Sequence, residues 1–271
     1  MNLHIVTVAT QSEFYFPYLV ESCKKHGKKL EVLGFGKKWK GYNWKFKLMI
    51  DYLKKLSEND IVCFVDGYDV ICVRNLNELV PEFLKIKEDT NCSVVIGHDK
   101  RYTIAHYPSL LFFGSCVGQD LNSGTYIGYV KDLLLILTDS YNIDPLNNRD
   151  DQFLITQYCK KYPSKFHVDE TSKLFLALGY PFQELDYYVK INKYVEYNGE
   201  RPFFIHGAGG GYLNNILTKL DYNCDPYIKT EIILYGMKKA VGHIYSLKYF
   251  WILFLFLILI LILILILYGR M

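Results

Sequence analysis

A doubly wound α/β fold of the nucleotide-binding kind is predicted by three observations in the amino-terminal quarter of the chain. Short apolar runs alternate with segments of helical period, giving strand, helix, strand, helix, strand in succession. The third run, Ile61-Val62-Cys63-Phe64-Val65, is β-branched and short enough to be a buried strand of a parallel sheet. It ends on Asp66-Gly67-Tyr68-Asp69, so two carboxylates emerge where open α/β sheets place their ligand crevice. No G-x-G-x-x-G follows the first strand, which disfavours a dinucleotide fold of the NAD type.

In order, Leu3 to Thr10 reads as the first strand and Phe16 to His26 as a helix. Lys29 to Gly34 is a second strand, closed by the turn Gly34-Phe35-Gly36 and the basic loop Lys37-Lys38-Trp39-Lys40-Gly41. Trp44 to Leu56 carries helical apolar spacing through Phe46, Met49, Ile50 and Leu53. After the third strand come a helix from Asn75 to Ile86, a strand from Cys92 to Gly97, and an aromatic, small-residue segment from His98 to Gly118 expected to wrap the cleft. Asp120 to Tyr129 reads as a polar turn leading into a short strand, with Asn122, Ser123 and Gly124 as turn formers. Helices follow from Lys131 to Tyr141 and from about Asp150, with short strands at Phe166 to Asp169 and Tyr187 to Ile191. Arg201 to His206 ends an apolar strand and leads into the run Gly207-Ala208-Gly209-Gly210-Gly211. The folded domain is placed at residues 1–225, with a linker over 226–248.

Two acidic pairs carry candidate chemistry. Asp66 and Asp69, three apart across a turn, can share one hard cation such as Mg²⁺ or Mn²⁺, which in turn holds a diphosphate; alternatively Asp66 caps the turn and Asp69 is solvated. Asp150 and Asp151 stand at a helix start, where negative charge is favoured with or without a catalytic duty. His206 is an ordinary hydrogen-bonded histidine on one reading, while the glycines after it let backbone amides approach a phosphate on the other.

With 31 basic against 28 acidic residues, the net charge of +3 argues against a nucleic-acid binder, which would show a concentrated basic face. Seven scattered cysteines without a C-x-x-C pair suggest buried or free thiols in a reducing compartment. No secretory signal is visible at the start. From Phe250 to Tyr268 every residue is apolar or aromatic, which predicts a single-pass membrane anchor at residues 249–268. Lys238, Lys239 and Lys248 on its amino side favour a cytosolic position for the globular part.

Taken together, the motifs resemble the glycosyltransferase domain of the procollagen lysyl hydroxylase family, which includes viral relatives. Leu33 to Gly41 is similar to the family's L-G-x-G-E-E-W-R-G loop, and Phe64 to Val70 to F-V-D-S-Y-D-V. Leu121 to Gly128 resembles F-L-N-S-G-G-F-I-G, Asp150-Asp151-Gln152-Phe153 the end of an acidic D-D-Q-L/F run, and Ile205-His206-Gly207 the start of V-H-G-N-G. The resemblance spans roughly residues 3–215 in collinear pieces.

It implies a GT-A-like nucleotide-sugar transferase domain, an α/β unit with a Rossmann-like mixed sheet, in which Mn²⁺ (or Mg²⁺) holds the diphosphate of a UDP-sugar. Carried over by position, Asp66, Asp69 and His206 are the metal ligands, and Trp39 and Tyr68 edge or sandwich the uracil. Lys45 neutralises diphosphate charge, Asn122 and Gly207 fall in donor-binding motifs, and Asp150 and Asp151 face the sugar. The implied reaction moves a hexose from UDP-glucose or UDP-galactose, with retention, to a hydroxyl of a protein or glycan, hydroxylysine among them. A catalytically weak nucleotide-sugar-binding membrane protein is the alternative. It is motivated by Ala208, where the family has Asn, and by His98 to Tyr102, which replace a Trp-rich loop. No oxygenase segment is present in the sequence, so lysine hydroxylation is not expected of it.

Overall fold

The computed structural model describes residues 1–99, 110, 112–116, 118–144, 149–178, 189–191, 194–209 and 211–228, together with 231, 234, 237, 238, 241, 255 and 258–260. In chain order the strands are β1 (Leu3–Val8), β2 (Leu30–Leu33), β3 (Ile61–Val65), β4 (Val70–Cys72), β5 (Val94–His98), β6 (Leu121–Tyr129), β7 (Phe166–Asp169), β8 (Phe175–Ala177), β9 (Val189–Ile191), β10 (Val195–Tyr197) and β11 (Phe204–His206). The helices are α1 (Phe16–Lys25), α2 (Tyr42–Leu53), α3 (Leu79–Thr90), α4 (Val130–Ile143), α5 (Asp151–Lys161) and α6 (Asn214–Lys219).

The main sheet has six strands in the order β2-β1-β3-β6-β5-β7. β1 lies parallel to β2 and β3, whereas β6 runs antiparallel to both β3 and β5. The result is a mixed α/β sheet. As the apolar run predicts, β3 is buried along its whole length, and its period of two feeds two cores. Val62 and Phe64 pack with Phe46, Met49 and Leu53 of α2, Leu133 and Leu137 of α4, and Leu154 of α5. Ile61, Cys63 and Val65 pack on the other face with Leu19 and Cys23 of α1 and Phe83 of α3. A smaller sheet, in the order β4-β11-β8, lies against that second core through Cys72, Phe175 and Phe204.

Two expectations shift, and three short strands are added. The segment Asn122-Ser123-Gly124 is not a turn but part of the nine-residue strand β6. Its turn-like composition yields to burial: Asn122 pairs with Gly97 of β5, and the Gly124 carbonyl accepts from the Asp66 amide just past β3. Opposite β5 the register jumps, Ile96 facing Tyr126 but Gly97 facing Asn122, so residues 123–125 leave that pairing while Thr125 faces Val65 of β3. The helix expected from Asn75 begins instead as a 3₁₀ turn, Leu76–Glu78, with the Asn75 side chain accepting from the Asn77 amide, before α3 takes over. The three-residue strands β4, β8 and β10 are too short for periodicity to reveal. Residues 100–109, within the segment His98 to Gly118 expected to wrap the cleft, and residues 145–148 lie outside the described residues.

The expected single-pass anchor, with its cytosolic placement, is corrected. Among the described residues no helix is long and apolar enough to cross a membrane. Of residues 249–268 only Leu255 and 258–260 are among the described residues.

The cysteine expectation is corrected as well. Cys116 and Cys159 form a disulfide with Cα atoms 5.8 Å apart, while Cys23, Cys63, Cys72 and Cys92 are free and buried. The spacing carried no recognisable pattern, because the two cysteines are 43 residues apart and meet only when α5 packs beside the segment leading into β6. Closing a loop of 43 residues restricts the unfolded chain by about 4 kcal/mol in the chain-entropy picture. Cys159→Ser is therefore expected to lower the thermal midpoint by about 5–15 °C, measured by calorimetry without reductant. An unchanged midpoint would mean that the bond is open in solution.

Candidate active site

The turn Asp66-Gly67-Tyr68-Asp69 is the crossing from the main sheet to the smaller one, since β3 ends at Val65 and β4 begins at Val70. β11 runs antiparallel to β4 with His206 opposite Val70, which sets His206 beside Asp69. The Gly207 amide donates to the Asp69 carbonyl at 2.7 Å and pins that approach. Nε2 of His206 lies 3.3 Å from Asp69 Oδ2 and 3.9 Å from Asp66 Oδ2. One ligand atom from each of Asp66, Asp69 and His206 falls within 4.8 Å of the others. Two carboxylate oxygens and an imidazole nitrogen at this spacing suit a borderline-to-hard divalent cation such as Mn²⁺ or Mg²⁺.

Gly124 makes this approach possible. A β-carbon there would sit 2.2 Å from His206 Cε1 and 2.8 Å from Asp66 Oδ2, well inside contact distance. The Gly124 carbonyl accepts from the Asp66 amide at 2.8 Å, so β6 also fixes where the first carboxylate leaves β3. Beside it, Asn122 is buried; its Oδ1 accepts from the Gly124 amide at 3.0 Å and lies 2.9 Å from His206 Nδ1.

Lys45, on the buried face of α2, reaches across the top of β3. Its Nζ donates to Asp66 Oδ1 and to Asp151 Oδ2, each at 2.6 Å, and lies 4.6 Å from the centre of the Phe64 ring. Burial alone would lower the pKa of this ammonium, but the Asp151 and Asp66 carboxylates outweigh it and hold the amine above its ordinary value. Asp150 and Asp151 differ in posture. Asp150 is the N-cap of α5, its Oδ1 accepting from the Gln152 amide at 2.9 Å. Asp151 is the first helical residue; its Oδ1 accepts from the same amide at 3.1 Å and its other oxygen faces Lys45.

The structure thus brings together Asp66, Asp69, His206, Lys45, Asp151 and Asn122. Other expected residues sit differently. The Tyr68 hydroxyl is engaged by the end of β1, accepting from the Thr10 amide at 2.8 Å and the Gln11 amide at 3.3 Å. Trp39 is 44% exposed, and its ring meets Tyr42 and Trp44 edge-on. Gly207 has its amide on Asp69, and a β-carbon there would lie 2.2 Å from the Gly211 carbonyl oxygen, so this glycine serves the folding of its own loop. Sequence reasoning missed Gly124 as a site residue and missed the carboxylate partners of Lys45. A glycine inside an otherwise apolar strand, as in Gly124-Thr125-Tyr126-Ile127, is the signal of close approach that marks it.

Comparison with known proteins agrees with this architecture. Residues 1–225 match the family described as the PLOD GT domain. The chain is 25% identical over 247 residues to the Caenorhabditis elegans multifunctional procollagen lysine hydroxylase and glycosyltransferase, covering 79% of this chain and 32% of that protein. An uncharacterized protein of Acanthamoeba polyphaga mimivirus is 23% identical over 225 residues, covering 78% of this chain and 45% of that one. The chain spans about a third or less of the first curated relatives it matches. Among solved structures, a glycosyltransferase involved in glycosylation of the major capsid of PBCV-1 superposes with a TM-score of 0.51 at 13% identity, covering 77% of this chain and 94% of that one. That likeness shows the fold. The chain belongs to the PLOD GT domain family, a family of glycosyltransferase domains.

Proposed function

We propose that the domain transfers a hexose from a UDP-sugar, UDP-glucose or UDP-galactose, to a hydroxyl of a protein or glycan acceptor, with a divalent cation and with retention of configuration. The observation that carries this reading is the junction at Lys45, which joins the Asp66, Asp69 and His206 triad to Asp151 through one buried ammonium. Asp66, Asp69 and His206 would hold Mn²⁺ or Mg²⁺, and such a cation supplies charge stabilisation for a departing diphosphate. Asp151 faces the sugar and stabilises positive charge at the anomeric carbon, while Lys45 keeps its carboxylate in place. Asp150 caps the helix and thereby aims its neighbour. Trp39, exposed beside the basic loop, and Tyr68, at the mouth of β1, border the base. The family membership supports sugar transfer.

The direct test is a donor screen on the full chain, following Mn²⁺-dependent release of UDP. Turnover is expected with UDP-glucose or UDP-galactose and should vanish with chelator and in Asp66→Ala or Asp69→Ala; release indifferent to both would reject the metal assignment.

Within the site, Asp151→Asn should lower kcat on the order of a hundredfold and leave the donor KM near wild type, because its charge matters most in the transition state. Asp150→Asn should change little, since Asn caps a helix as well as Asp. Near-normal rates in both variants would leave the pair with a capping duty alone.

Gly124→Ala places a methyl group against the His206 ring, so Mn²⁺ affinity by calorimetry should fall at least tenfold, with overpacking costing about 1–3 kcal/mol of stability. Wild-type affinity in a folded alanine variant would show that the triad tolerates displacement and does not depend on this close approach.

A further inference from the structure

Asn122 lies in a motif expected to touch the donor, yet its contacts point elsewhere. Its Oδ1 is 3.0 Å from the Gly124 amide nitrogen and 2.9 Å from His206 Nδ1. A backbone N–H only donates, so the Asn122 atom facing it must be the carbonyl oxygen, which settles the orientation of the side-chain amide. That same oxygen only accepts. The imidazole nitrogen beside it must then carry the proton, and the His206 Nδ1–H donates to Asn122. The opposite nitrogen, Nε2, is the one that faces Asp69 at 3.3 Å and Asp66 at 3.9 Å. Turning the ring over would present carbons to both Asn122 and Asp69 and forfeit both contacts. With the ring 4% exposed and Gly124 packed against Cε1, little room exists for such a turn.

We propose that Asn122 is a positioning residue for His206, fixing the Nδ1–H tautomer so that the Nε2 lone pair faces the Asp66 and Asp69 carboxylates as a cation ligand. The inference rests on the metal reading given above and assigns Asn122 to the metal centre in place of the donor. Metal-binding histidines commonly have their second nitrogen held in this way, and loss of the holding group typically weakens metal binding 10–100-fold. β6 therefore shapes the centre twice over, with Gly124 giving His206 its space and Asn122 its proton arrangement.

Two measurements on the full chain test this. In the Mg²⁺-loaded wild type, nitrogen NMR of labelled histidine should show His206 with a protonated Nδ1 and an unprotonated Nε2. The reverse tautomer overturns the proposal without recourse to any variant. Free Mn²⁺, followed by its paramagnetic resonance in the absence of nucleotide, should bind Asn122→Leu 10–100-fold more weakly than wild type. Asn122→Asp, which keeps an oxygen facing both N–H groups, should restore affinity to wild type or better. Equal affinity in wild type and the leucine variant, or failure of the aspartate variant to recover it, overturns the proposal. A wild-type chain that takes up no Mn²⁺ overturns the metal reading itself. A chain that takes up Mn²⁺ with the wrong tautomer overturns only the role of Asn122.

Discussion

One buried ammonium sets the arrangement of the site. An amine in an apolar interior is expensive unless its charge is compensated, and Lys45 meets that requirement with two carboxylates at 2.6 Å. Each carboxylate comes from a different element, Asp66 from the end of β3 and Asp151 from the first turn of α5, so the pairing fixes the helix against the sheet as well as the charge. Asp66, Asp69 and Asp151 contribute three negative charges and Lys45 one positive, which leaves these four side chains net negative. That excess, beside the His206 ring, has the sign that a divalent cation complements. The Phe64 ring beneath the ammonium, stacked on Tyr126, keeps the underside of this network dry and strengthens every charge interaction within it.

The geometry follows from topology as much as from side chains. Asp66 and Asp69 bracket the step from one sheet to the other, and a residue at such a step is held from both sides. His206 reaches it only because β11 pairs antiparallel with β4, and Asn122 only because β6 inserts antiparallel between β3 and β5. Contacts such as Asn122 with His206, 84 positions apart, and Lys45 with Asp151, 106 apart, form only when the two sheets and α5 come together. The Cys116–Cys159 bond joins two of those parts, the approach to β6 and the body of α5, and limits how far they can drift.

Much of this was legible in the sequence, and the limits have physical causes. β3 announced itself because a strand buried on both faces has no polar positions to disguise it, and α1, α2 and α4 because their apolar faces repeat at helical spacing. Asp66, Asp69 and His206 were named from motif order, and the structure sets them together. What could not be read were relations that exist only in three dimensions. The two aspartates that flank Lys45 could not be read because nothing local shows them, and Asn122-Ser123-Gly124 looked like a turn because composition reports preference and not burial. The disulfide was hidden for the same reason, since sequence spacing says nothing about which helix packs beside which loop. The apolar run near the carboxyl end shows the opposite failure, in which hydropathy was taken for a span without a described helix to carry it.

Asp150 and Asp151, adjacent in sequence, take different postures at the start of one helix. At the sequence level the capping and catalytic readings compete, because both favour acid at a helix start. In the fold the two residues take different postures. Asp150, with φ −67° and ψ 148°, is still extended, and its side chain folds back onto the Gln152 amide. That cap ends the incoming segment and fixes the direction in which α5 begins. Asp151 is then the first residue to take helical geometry, and it is turned inward to Lys45, buried to within a few percent of its surface. A cap moved by one residue would rotate the helix start by about 100° and carry Asp151 away from the ammonium. The capping aspartate is therefore not a rival to the inward one but the reason it points where it does.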